Sequence, residues 1–318
     1  MKIAMIGSGA AGSVFACYLR RGGAELYLVD RYKAHMDKIA AEGMSFREPG
    51  CECLLKDFHT AACASELPLM DIVILMVKAT QTDGIMPEVM ACVGPETVLV
   101  SLQNGLGNDD ILAKYVPRDR IMFGAGVIGT ELAAPGVCVA KPEDGVQMFF
   151  GAVEKGRLTD RAGQYLEDCF RSGGCKASFE DDVRTLLWKK AVTNSGYNAV
   201  CTVTRLKVRE VMDDEFGMAL MEQIWREGCA VALAAGVGDI WPLIDGDREN
   251  LRANLGDYYP SMAQDAVIHG RQTEISFLNG AIARYGESLG VPTPANSVLA
   301  RVIEAIQNNL DRQYKQSK

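Results

Sequence analysis

The chain has 318 residues, 48% of them hydrophobic, with 33 basic against 41 acidic side chains and a net charge of −8. That length allows about two domains, and that apolar share allows a sizeable core. The acidic balance argues against a nucleic-acid partner and against a polybasic membrane anchor, and no apolar run approaches the ~18 residues of a membrane span.

In chain order, "KIAMIG" (2–7) reads as a buried parallel strand, followed by a helix in "SVFACYLRRGG" (13–23) that stops at two glycines. The N-terminus enters this strand pattern without a signal-peptide layout, so a cytoplasmic enzyme is expected. "AELYLVD" (24–30), "DIVILMV" (71–77) and "TVLVSLQ" (97–103) are further strands, with helix-like segments between them. Strands alternating with helices predict a parallel sheet with right-handed crossovers. Residues 121–151 read as a β meander at the sheet edge, broken at "APG" and "EDG", and "CKASFE" (175–180) as a last strand.

Beyond residue 179 the strand pattern ends. Segments 180–205, 208–236, 260–289 and 295–313 read as helices, with a Gly/Pro-containing break at 236–247. The expected fold class is α/β: an N-terminal Rossmann-type parallel-sheet domain over 1–179, then an all-α domain over 180–318. The tail "RQYKQSK" is expected to fray. Long apolar C-terminal helices could support a homodimer. Ten cysteines without a C-x-x-C pair, and three scattered histidines, predict no metal site. "DGDREN" (245–250) lacks the sixth-position glycine and closing glutamate of a calcium loop.

"GSGAAG" places Gly7, Ser8, Gly9, Ala10, Ala11 and Gly12 between the first strand and its helix, the context a dinucleotide-binding G-x-G-x-x-G requires. Gly7 permits the turn, Gly9 lets backbone approach a pyrophosphate, and Gly12 lets the helix pack close. Asp30, at the end of the second strand, suits the adenosine ribose hydroxyls and so NADH. Arg31 follows at once and could accept a 2′-phosphate, which keeps NADPH open.

In "WKKAVTNSGYN" (188–198), Lys190, Asn194 and Asn198 stand four residues apart on one helix face. Trp188, Ala191, Val192 and Val200 make that helix largely buried, and polar residues in a buried helix need partners. Lys78 and Asn104 follow predicted strands at their C-terminal ends, where ligands bind in open α/β sheets. A solvated strand cap and ordinary turn chemistry are their plainer readings. Ser261, after Pro260, could be a helix N-cap, and Glu274 could pair with Arg271 on a surface.

Together, "GSGAAG", "VKATQT" (77–82), "SLQNG" (101–105), "WKKAVTNSGYN", "YPSMAQD" (259–265), "GRQTEISFLNG" (270–280) and "LGVPTPANS" (289–297) resemble, in order and spacing, the ketopantoate reductases. The resemblance covers essentially the whole chain. It implies a Rossmann domain, a helical domain, an active site in the cleft between them, and reduction of 2-dehydropantoate to pantoate by NADPH or NADH. It implies that Lys190 is the proton donor and that Asn194, Asn198 and Ser261 bind the substrate. It further implies that Asn104 lies near nicotinamide and substrate, that Lys78 lies at the cofactor, and that Glu274 lies near the lysine. The chain differs from the family pattern in Asp30 before the arginine, in one extra residue between Asp265 and Glu274, and in lacking an asparagine in "TRLKVRE" (204–210). A reductase of another branched or aromatic 2-oxo acid, and a non-catalytic dinucleotide sensor, are the competing readings.

Such a reduction needs a hydride at the carbonyl carbon and a proton for the oxygen. A lysine ammonium stabilises the developing oxyanion and can then act as general acid. A neighbouring carboxylate keeps a buried lysine charged.

Overall fold

The apolar run at the N-terminus forms β1 (Lys2–Ile6), whose last four residues are fully buried. The computed structural model describes residues 1–142, 145, 147–254 and 257–313. The "EDG" break and the frayed tail expected from sequence lie partly outside these residues. The chain divides into two compact units, Met1–Gln103 with Asn108–Val183 and Asn104–Gly107 with Arg184–Lys318. The short segment Asn104–Gly107 thus belongs with the helical unit, although sequence order sets it among the strands.

In the first unit, β1 is followed by α1 (Ala10–Arg21), β2 (Glu25–Val29) and α2 (Lys33–Glu42). Then come β3 (Met44–Glu48), β4 (Cys51–Leu55), β5 (His59–Ala61), β6 (Met70–Leu75), α3 (Thr82–Val89) and β7 (Val93–Ser101). The unit continues with α4 (Asn108–Leu112), β8 (Ile121–Gly126), β9 (Gly129–Ala134), β10 (Val137–Lys141), β11 (Met148–Ala152), α5 (Arg157–Ser172) and β12 (Ala177–Phe179). The main sheet has the order β12-β11-β8-β7-β6-β1-β2-β5. Its pairs are parallel except β8 with β11. Strands covered on both faces read as continuous apolar runs, and Ile72 to Leu75 of β6, like Val98 to Val100 of β7, are buried. Ile6 stands opposite Val29 on one side and Leu75 on the other, so the carboxyl ends of β1, β2 and β6 align.

The stretch 121–151 is not one edge meander. β8 and β11 join the main sheet, while β9 and β10 pair with β3 and β4 in a second sheet of order β4-β3-β10-β9. Hydrophobic periodicity carries no record of that parallel pairing of β3 with β10, in which Ser45 faces Val137.

The second unit contains α6 (Val183–Thr204), α7 (Val208–Asp213), α8 (Glu215–Ala234), α9 (Trp241–Asp245) and α10 (Arg248–Asn254). It ends with α11 (Ser261–Ala263), α12 (Asn279–Leu289) and α13 (Pro294–Gln307). The predicted helix over 208–236 is two helices. The Asp214 carboxylate caps the second by accepting the Gly217 N–H at 2.7 Å. The predicted helix over 260–289 is also interrupted. It passes from α11 through a π turn at Gln264–Ile268, then through Gly270 at φ +59°, a conformation that ends a right-handed helix. Helices α6 and α8 approach closely. A Cβ on Gly196 would stand 2.2 Å from the Trp225 ring nitrogen, and one on Gly228 would stand 2.8 Å from Val192. The Trp225 indole N–H closes the contact by donating to the Thr193 carbonyl at 3.0 Å. Among the described residues, no helix is long and apolar enough to cross a membrane.

Candidate active site

The first unit places a tight glycine loop at the aligned strand ends. Gly7 has φ +96°, and a Cβ there would lie 2.5 Å from the Val77 backbone nitrogen. A Cβ on Gly12 would lie 2.0 Å from the Gly7 carbonyl oxygen, so the loop and helix can close only on glycine. At Gly9 the same construction meets nothing within 4 Å. The loop is therefore shut beneath and open at Gly9, where backbone approach to a phosphate needs space. The first turn of α1 has neither a side-chain cap nor an acidic residue, which leaves its N–H groups and positive dipole end for an anion. These residues fit a dinucleotide.

Asp30 follows β2, half-buried, and its carboxylate accepts the Tyr32 N–H at 2.8 Å. Arg31 is exposed. Lys78, half-buried, follows β6 next to the Val77 backbone that limits Gly7. Gln103 locks this corner: its amide donates to the Val77 carbonyl and to Thr82 Oγ1, both at 2.7 Å. The sequence motif contains Gln103, but its anchoring role is visible only once β6 and β7 are neighbours.

The second unit gathers Asn104, Asn194, Asn198, Ser261 and Glu274 around one pocket, which Lys190 joins through Asn104 without lining it. Trp188, Ala191, Val192 and Val200 of α6 are buried, as their pattern predicts, and Lys190, Asn194 and Asn198 share the remaining face. Lys190 Nζ donates to Asn104 Oδ1 at 2.9 Å. The Asn104 amide in turn donates to Glu274 Oε2 at 3.4 Å. Asn104 is placed by its own loop. Leu106 N–H donates to the Phe277 carbonyl at 2.8 Å, and Gly105 sits at φ +91° against that carbonyl, where a Cβ would be 2.3 Å away. Glu274 is buried just before the turn Ile275–Phe277, and the preceding Thr273 is held by Gln307 Oε1 of α13 at 2.9 and 2.7 Å.

Part of Lys190 stays accessible, yet protein surrounds the ammonium densely. Burial pulls its pKa down from 10.5 to about 8, and the Glu274 carboxylate acts against that fall. A lysine so placed is charged at neutral pH and can still release its proton. The pocket is lined by Asn104, Asn194, Asn198, Ser261, Met262, Asp265, Glu274 and Leu278 and opens to solvent. Asn198 is buried, and its Oδ1 receives the Met262 N–H at a long 3.5 Å. Asn194 accepts the Tyr197 hydroxyl. Ser261 is the first residue of α11, and the capping position belongs to Pro260. Arg271 pairs with the buried Asp265 at 2.7 Å. Asp265, in the quoted "YPSMAQD" motif, is a lining residue to which the sequence reading gives no role.

Residues 3–155 match the family model described as ketopantoate reductase PanE/ApbA, and residues 182–307 match its C-terminal counterpart. The chain belongs to the ketopantoate reductase family. The resemblance read from the motifs therefore holds for family and fold, and the enzyme class is that of NAD(P)-dependent oxidoreductases. Among ketopantoate reductase relatives, the 2-dehydropantoate 2-reductase of Streptococcus pyogenes is 27% identical over 96% of this chain and 97% of that protein. The 2-dehydropantoate 2-reductase of Pyrococcus abyssi is 28% identical over the same shares. A 2-dehydropantoate 2-reductase structure from Geobacter metallireducens superposes with a TM-score of 0.87 at 26% identity, covering 96% of this chain and 99% of that one. A D-mandelate dehydrogenase solved with NADH and anilino(oxo)acetate superposes with a TM-score of 0.86 at 28% identity, covering 98% and 100%.

Proposed function

We propose that this protein reduces 2-dehydropantoate to pantoate at the expense of NADH or NADPH, with Lys190 as proton donor. The observation that carries the proposal is the Lys190–Asn104–Glu274 chain at a polar pocket. Reduced nicotinamide, when bound, supplies the hydride. Lys190 directs an N–H at the carbonyl oxygen, stabilises the charge that develops there and releases its proton to it. Glu274 favours the charged lysine, and Asn104 orients both groups. Asn194, Asn198 and Ser261 offer donors and acceptors to the carboxylate and the hydroxyl of the substrate. Of the eight lining residues only Met262 and Leu278 are apolar. That balance favours a substrate with a hydroxyl of its own, because a site built to hydrogen-bond a hydroxyl rejects analogues lacking it.

The similarity to D-mandelate dehydrogenase supports a second reading, the same chemistry on an aromatic 2-oxo acid, with Asp30 favouring NADH. The two readings separate in one assay: oxidation of NADH, and separately of NADPH, with 2-dehydropantoate, phenylglyoxylate and 4-methyl-2-oxopentanoate. A kcat/KM highest on 2-dehydropantoate is expected. A preference for phenylglyoxylate would move the protein to the second reading. Lys190→Ala should cut turnover by at least about 100-fold, the scale of a positioned general acid. Near-normal turnover in that variant would remove Lys190 from the mechanism.

A further inference from the structure

A directed chain of hydrogen bonds runs beneath the glycine loop from a histidine outside every motif. His35, in the first turns of α2, is fully buried, as are Ser13 and Ser8. The Gly136 backbone N–H, in the β9–β10 turn, points at His35 Nδ1 at 2.8 Å. A backbone N–H only donates, so Nδ1 is the accepting nitrogen and the proton of the neutral ring is on Nε2. Nε2 then donates to Ser13 Oγ at 3.0 Å. Ser13 Oγ donates in turn to the Ser8 carbonyl at 2.7 Å. Burial holds the imidazole below its usual range, against the opposing pull of Asp30, which favours the neutral ring that this pattern needs.

We propose that His35 and Ser13 are positioning residues for the cofactor: they clamp the Ser8–Gly9 peptide so that the Gly9 N–H is presented to the dinucleotide phosphates. In a planar trans peptide the C=O and the following N–H point in opposite directions. Drawing the Ser8 carbonyl inward onto Ser13 therefore turns the Gly9 N–H away from the protein interior. It does so at the one loop glycine of the three whose Cβ position is clear of protein to 4 Å. The same frame reaches the ribose end of the site. His35 N–H donates to the Tyr32 carbonyl at 2.9 Å, and Tyr32 N–H donates to Asp30 Oδ1 at 2.8 Å. One hydrogen-bonded unit thus holds both the phosphate loop and the acid that follows β2. The inference rests on reading the loop as a dinucleotide site.

The test is titration of the purified protein with NADH and with NADPH, without substrate, following nicotinamide fluorescence. Ser13→Ala removes the hydroxyl without adding bulk. His35→Leu removes both ring contacts, whereas His35→Gln restores an amide acceptor and donor in the same 1,3 relation. Ser13→Ala and His35→Leu should raise the Kd of the better cofactor about fivefold, the effect of one lost neutral hydrogen bond, and His35→Gln should recover most of that loss. A Ser13→Ala Kd within twofold of the starting protein would overturn the clamp. So would equal weakening by His35→Gln and His35→Leu, since a purely space-filling role is indifferent to the amide. Should His35→Leu not fold, Ser13→Ala decides alone. An unsubstituted protein that binds neither cofactor would overturn the dinucleotide reading itself, and the clamp with it.

Discussion

Glu274→Gln should move the alkaline limb of reductive turnover to lower pH. A proton donor, the role proposed above for Lys190, must start charged, so activity is expected below the Lys190 pKa and should be lost as pH rises through it. With that pKa at about 8, roughly nine-tenths of the lysine is charged at pH 7 and roughly one-tenth at pH 9. Turnover by the unsubstituted protein should therefore fall about tenfold per pH unit above the limb. Two causes set this position: burial lowers the pKa, and the Glu274 carboxylate raises it. Gln keeps the shape of Glu and its contact with the Asn104 amide but removes the charge, so only the lowering cause is left. A fall of one unit would leave about half the lysine charged at pH 7. Initial rates of nicotinamide oxidation at saturating substrate, from pH 6 to 10, measure both limbs. The oxidative direction, which needs the neutral amine as base, should show the mirror profile, rising through the same pH. An unchanged limb in Glu274→Gln, or reductive turnover that rises between pH 8 and 9 in the unsubstituted protein, would refute the assignment.

Asp30→Ala should weaken NADH binding more than NADPH binding, and an unchanged ratio of the two Kd values would mean that Asp30 does not read the ribose. Gly12→Ala must displace backbone, because its Cβ would stand 2.0 Å from the Gly7 carbonyl. A loss of cofactor affinity of at least about tenfold is expected, at a cost of more than ~1.4 kcal/mol, and calorimetric titration checks it. Gly105→Ala would push the 104–107 loop off the Phe277 carbonyl and carry Asn104 with it. Turnover should drop while cofactor Kd in direct titration stays put; a weakened Kd with intact turnover would contradict the placement of Asn104.

The parts of the site legible in the sequence are those fixed by short-range periodicity. The glycine loop needs a strand, a turn and a helix in succession, and β1 and α1 provide them over twenty residues. Lys190, Asn194 and Asn198 share a face because α6 runs unbroken through them. What the sequence hides depends on long-range closure. The sequence places Asn104 after a strand end where ligands bind, but not its partners, which arrive from 86 and 170 positions away. Glu274 looks like the surface partner of Arg271 only if the chain between them is helical. It is not: residues 271–273 form no helix, and Arg271 pairs with Asp265. The small sheet is hidden for a different reason. Its strand "CECLL" alternates between half-buried and exposed positions and so lacks a fully apolar face, and its neighbour β3 finds β10 some ninety residues on. His35 is the clearest omission, since nothing local marks a histidine whose two partners lie on α1 and in the β9–β10 turn.

The burial of Lys190 should also be measurable as a cost to the fold. Its folded-state pKa of about 8 lies below the ordinary 10.5. Between those values the unfolded chain holds a proton that the folded chain has released. Unfolding takes up that proton, so the stability contributed at this position rises with pH through the window. Below about pH 8 the lysine is charged in both states, and the full penalty remains, on the order of 3 kcal/mol at ~1.4 kcal/mol per pKa unit. Screening through the accessible part of the residue makes this an upper figure. Lys190→Met cannot titrate, so the difference in unfolding free energy between it and the unsubstituted protein isolates this one group. Other titrations at high pH are common to both and cancel. Urea unfolding at pH 7, 8, 9 and 10 should show the difference moving in favour of the unsubstituted protein by about 2 kcal/mol between pH 8 and 10. Whatever packing Met gains or loses shifts the curve bodily and leaves its slope alone. A difference independent of pH would mean that Lys190 is not desolvated in the folded chain, and would remove the physical basis for its use as an acid near neutrality.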